Sequence, residues 1–79
     1  MKYHKFTVVD SNPFHAGEEI VIRATTKRYR IVKNNMTYHR YNFKCGEYIP
    51  KKAYLLLVNK PALIHETFKT EDDFILDQI

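Results

Sequence analysis

A single cysteine, Cys45, is the tightest constraint on what this chain of 79 residues can build. One thiol closes no internal disulfide and completes no Cys-x-x-Cys metal or redox pair. At this length only about 60% of the surface of an unfolded chain becomes buried, so the fold must rest on one small apolar core. The composition allows such a core: 44% of residues are hydrophobic and 28% charged, ordinary globular values, and two Gly and three Pro give no sign of a disordered or collagen-like chain. Cysteine usage suits a reducing compartment. Lys2, His4 and Lys5 break the N-terminal stretch, so it carries no apolar secretory core, and the longest apolar run, Ala53 to Val58, is too short to span a bilayer. The expected setting is the cytoplasm, with no membrane partner. Lys, Asn, Ile, Tyr and Phe, all drawn from AT-rich codons, supply 32 of the 79 residues. This bias suggests a phage or other mobile element of a low-GC host, and hence host cytoplasm.

No repeat, low-complexity tract or Gly/Ser linker interrupts the chain, and residues 1–79 read as one domain. Charge is split unevenly along it. Residues 1–60 hold twelve Lys or Arg against four acids, a balance of +8, and residues 61–79 hold one Lys against five acids, a balance of −4. The chain reads as a basic β-rich body with an acidic C-terminal segment.

Tyr3 to Val9 is rich in residues that suit a pleated, half-buried surface and predicts a strand. Ser11-Asn12-Pro13 and Ala16-Gly17 supply turn chemistry before a second strand over Glu18 to Ala24. Arg28 to Lys33, then Asn34-Asn35, then Met36 to Phe43 reads as a β-hairpin with a type I′ turn. In that register Tyr29, Ile31, Lys33, Met36, Tyr38 and Arg40 form a core face. Arg28, Arg30, Val32, Thr37, His39 and Tyr41 form a basic, aromatic open face. Replacing Asn35 with Gly is then expected to keep or raise stability.

Cys45-Gly46-Glu47 marks a turn. Ala53 to Val58, between Pro50 and Pro61, reads as a buried strand on its length, although a buried helix has the same apolar pattern. Ala62 to Phe68 is equally ambiguous. Thr70 followed by Glu71, Asp72 and Asp73 predicts an N-capped helix to the C-terminus, docked by Phe74, Ile75 and Ile79. The expected fold is mainly β, a small SH3-like or OB-like barrel of about five short strands with a short C-terminal helix. The alternative is α+β, a three-stranded antiparallel sheet with helices after Pro50.

Catalytic patterns are absent. No nucleophile elbow or phosphate-binding glycine loop occurs, the four His residues lack zinc spacing, and Cys45 reads as a small, partly buried thiol, since a Cys45–His39 thiol–base pair would depend on the fold and not on their spacing. The reading is a non-enzyme with no cofactor and no metal. From Arg23 to Lys52, nine Lys or Arg face a single acid, Glu47, and are interleaved with tyrosines and Phe43. Two functions fit. The leading one is a protein-binding inhibitor or adaptor; the alternative is a nucleic-acid-binding β-barrel using a basic hairpin face. Both draw on the same candidate binding residues: Arg28, Arg30, His39 and Tyr41, flanked by Lys44, Lys51 and Lys52.

Overall fold

In a computed structural model, residues 2–9 and 15–78 are described, except the side chain of His39. The chain is mainly β. Five strands, β1 (Lys2–Val8), β2 (Glu19–Ala24), β3 (Tyr29–Asn34), β4 (Tyr48–Ile49) and β5 (Leu63–Phe68), form one antiparallel sheet in the order β4-β3-β2-β1-β5. Two helices, α1 (Lys51–Val58) and α2 (Glu71–Asp77), lie on opposite faces of it. The expected barrel is not closed by hydrogen bonds: β4 and β5 stand at opposite edges of the sheet.

Alternation writes the two faces. Phe6 pairs with Ile20 and with His65, and His4 with Ile22 and with Thr67, so these positions share one face. That face carries the core, in which Phe6, Ile20, Ile22 and Ile31 are fully buried and Leu57 of α1 is almost so. The other face carries Tyr3, Lys5 and Val21, and beyond them Arg23 and Arg30, which pair across β2 and β3. A bulge between Val21 and Ile22 shifts the β2–β3 register, which leaves Val32 partly exposed.

Two expectations of local structure fail. Ala53 to Val58 is not a strand but most of α1, since the chain must cross from β4 at one edge to β5 at the other and a helix makes that crossing. Leu55 to Leu57 are strong helix formers, Pro50 precedes the first turn without requiring a donor, and Pro61 follows the helix end. Nor do Asn34 and Asn35 form a type I′ turn, because no non-glycine residue among those described has positive φ. Asn35 stays bonded to β2, its N–H donating to Glu19 O (3.1 Å) and its Oδ1 accepting from Glu19 N (2.6 Å). Residues 35–38 then leave the sheet and end in a short 3-10 turn, His39–Tyr41. A tight reversal at Lys44–Glu47 brings the chain back beside β3, where Gly46 takes φ +90 and bonds Ile31 O through its N–H (2.7 Å). The Ser11-Asn12-Pro13 turn and the Ile79 anchor lie outside the described residues.

Helix α2 is capped by Thr70, whose Oγ1 accepts from Asp73 N (3.1 Å). It docks through Phe74, stacked on Tyr3 with centroids 4.5 Å apart and 7° between planes, and through Asp77, which accepts from Lys5 Nζ at 2.6 Å. Ile75 does not anchor it; that side chain is half exposed. Truncation after Lys69 is expected to lower the free energy of unfolding by about 2 kcal/mol, mainly from uncovering Tyr3 and losing Phe74. A chemical melt of the truncated chain against the full chain reads this directly, and coincident curves would mean that α2 does not pack.

Candidate nucleic-acid interface

The part of the sheet left open beside α2 is basic. Arg28 ends the β2–β3 connection, where Thr25 N–H donates to Arg28 O (2.9 Å), and Arg30 follows in β3 on the face away from α1. Between them stands Tyr48 of β4, 55% exposed. Its ring receives both guanidinium groups, Arg28 at 5.5 Å and Arg30 at 5.8 Å from the centroid. Arg23, directly opposite Arg30 in the sheet, and Thr25 complete a shallow depression of about 240 Å³ around these three side chains. Lys27 and Pro50 line a second, more open hollow on the other side of Tyr48.

Electrostatics keep this surface positive. Ion pairs among the described residues include Lys5 with Glu66 and Asp77, and His15 with Glu18, and no carboxylate among those residues is paired with Arg28 or Arg30. Lys51 and Lys52 occupy the first turn of α1, where no acid is present and no side chain caps the helix. Two cations at the positive end of a helix dipole are locally unfavourable and add to the same field.

The sequence-derived binding residues do not form one cluster. Arg28 and Arg30 come together, exposed, as the open-face reading requires. Tyr41 does not join them: half-buried, it packs against the core on the α1 side. His39 opens the 3-10 turn, and its side chain lies outside the description. Lys44 is exposed in the turn before β4, where its N–H donates to Glu47 Oε2 (2.7 Å). Of the expected core face, Tyr29, Ile31, Met36 and Tyr38 do pack inward, while Lys33 and Arg40 are exposed. Arg23 and Tyr48 were missed. Arg23 was within reach of sequence reasoning, since Ile20 and Ile22 face the core and Arg23 must face away. Tyr48 was not, because β4 is only two residues long.

A second polar cluster lies under α1. His4 Nδ1 is 2.8 Å from His65 Nε2, Tyr54 Oη lies 3.3 Å from His4 Nδ1, and Thr67 Oγ1 lies 3.4 Å from both histidines. Burial, then the neighbouring His65 and Lys2, lower the His4 pKa from 6.5 to about 4, and burial lowers that of His65 as well. Burial and the nearby Tyr29 raise that of the Tyr54 phenol. All three groups are thus held neutral, which suits a structural hydrogen-bonded cluster. No three His, Cys, Asp or Glu residues among those described converge on a metal position.

The geometry defines an open five-stranded antiparallel sheet, crossed by one helix on its core face and carrying an arginine–tyrosine cluster on the other. Compared with known proteins, the chain matches no protein-family model, no curated protein and no solved structure. No helix among the described residues is long and apolar enough to cross a membrane.

Proposed function

We propose that this protein is a non-catalytic binding module whose open sheet face takes a single-stranded nucleic acid. The observation that carries this reading is the pair of guanidinium groups of Arg28 and Arg30 over the exposed ring of Tyr48, with no carboxylate among the described residues paired to either. Phosphates need unpaired cations, and bases need flat surfaces; tyrosine rings and guanidinium planes both serve as stacking platforms. Lys27, which lines the neighbouring hollow with Arg28 and Tyr48, supplies further positive charge. Such a surface binds by charge and stacking, with little base specificity.

Fluorescence anisotropy with a labelled single-stranded oligonucleotide tests it. Affinity is expected to fall steeply with salt, and the Arg28→Ala/Arg30→Ala double variant to weaken binding about tenfold or more and to flatten the slope of log K against log salt by about 1 to 2. Binding that ignores salt, or none at low salt, would overturn the reading. The protein-binding inhibitor or adaptor would then lead, supported by Leu55 and Leu56 of α1, which are 42% and 66% exposed.

A further inference from the structure

On the α1 side of the molecule, away from the arginine–tyrosine cluster, two clefts meet. One, about 280 Å³, has apolar walls from Val8, Ala62 and Leu63; the other, about 230 Å³, has walls from Phe43, Leu56 and Leu57. Arg40, Tyr41 and Lys60 line both. Each cleft is below the roughly 300 to 1,000 Å³ of a small-molecule pocket and suits a single apolar side chain. Neither Arg40 nor Lys60 is paired with a carboxylate among the described residues. The groove therefore fits two apolar groups with an acid between or beside them.

The chain itself carries that pattern. Helix α2 turns Phe74 and Asp77 toward the sheet, which leaves Asp72, Ile75 and Leu76 exposed at i, i+3 and i+4, one continuous helix face. Ile75 is 49% and Leu76 67% exposed. Because α2 docks on the opposite face of the sheet from the groove, its outer face meets a groove only on another molecule. We propose that the groove seats the Asp72–Ile75–Leu76 face of α2 from a second copy of the chain. Ile75 and Leu76 enter the two clefts, and the Asp72 carboxylate lies near Arg40 and Lys60. Each copy offers one helix face and one groove on opposite sides, so the contact is head-to-tail and leaves a free groove and a free helix face at the two ends of every pair. The +8 body and the −4 C-terminal segment favour the same arrangement.

Analytical ultracentrifugation of the full chain, from micromolar to near-millimolar concentration, tests this independently of any nucleic acid. The wild type is expected to pass from monomer to dimer and on to longer head-to-tail oligomers as the concentration rises. Leu76→Lys and Arg40→Glu should each weaken association about tenfold or more, and combining Arg40→Glu with Asp72→Arg should restore part of it. Leu76, Asp72 and Arg40 are exposed, so thermal melts of the variants should match the wild type; Leu76→Ser replaces Leu76→Lys if the latter melts early. Association unaffected by both single variants overturns the proposal. So does a wild type that stays monomeric throughout, including one whose groove takes up an unrelated acidic, apolar peptide.

Discussion

Lowering the pH from about 7 to about 4.5 is expected to cost the fold roughly 2 to 3 kcal/mol, most of it through His4. His4 is 7% exposed, sits 2.8 Å from a second histidine, and has its pKa lowered from 6.5 to about 4. In the unfolded chain it returns to its ordinary value and gains a proton as the pH falls through 6.5. The folded protein keeps it neutral until about pH 4. Across that window the unfolded state binds more protons, so stability is full above about 6.5 and is lost toward 4. His65, shifted in the same direction, adds to the loss. The close contact reinforces the effect: one ring must donate and the other accept, and two protonated rings have only donors to offer. Urea unfolding at pH 7, 5.5 and 4.5 measures the slope while most carboxylates stay ionised. His4→Phe keeps a ring against Tyr54 and His65 and should flatten most of it. A wild-type midpoint that does not move would show that the pair takes up protons freely in the folded state.

Replacing Asn34 with Leu is expected to destabilise the protein by about 3 kcal/mol. Its Nδ2 donates to Tyr41 O (2.6 Å) and to Phe43 O (2.9 Å), and its Oδ1 accepts from Met36 N (2.9 Å). One half-buried amide thus ties the segment leaving β3 to the segment that returns toward β4. A leucine there leaves two carbonyls and one N–H without their partners next to the buried Met36. Denaturant unfolding reads the loss, and a midpoint equal to wild type would show that water replaces all three bonds. The neighbouring position behaves differently from a hairpin turn: Asn35→Gly removes the acceptor for Glu19 N and so lowers stability, contrary to what a type I′ turn implies.

These asparagines mark where the sequence stops being legible. Up to Ile31, alternation of β-branched and aromatic residues places β1, β2 and the start of β3 and sorts their faces, because one side of each strand is buried. From Asn34 onward, side-chain-to-backbone bonds decide the path. An Asn-Asn pair looks the same whether its amides cap a turn or bridge two distant carbonyls. The run Ala53 to Val58 failed for another reason: its outcome depends on β4 and β5 lying at opposite edges, a fact of topology with no local signature. Thr70 ahead of three acids was legible, since a helix N-terminus is specified within one turn. The interface was half legible. Arg28 and Arg30 sit close in sequence, whereas the grouping of Arg28 and Arg30 with His39 and Tyr41 depended on a hairpin that does not form, and the ring that gathers them, Tyr48, arrives from a strand of two residues.

The placement of β1 in the sheet bears on how the molecule assembles. One neighbour, β2, follows after a short connection; the other, β5, brings His65 to His4 across 61 positions of chain. Closing a longer loop costs more entropy before any contact is gained, so the β1–β4 meander can zip up through nearby pairs while the final ladder waits for the whole crossover. During that interval β1 exposes an unpaired backbone edge beside Phe6 and Val8, which become core only when β5 and α1 arrive. Mispairing is therefore a hazard of timing: the vulnerable edge belongs to a strand that ends up second from the sheet's border, protected once the slowest step is complete.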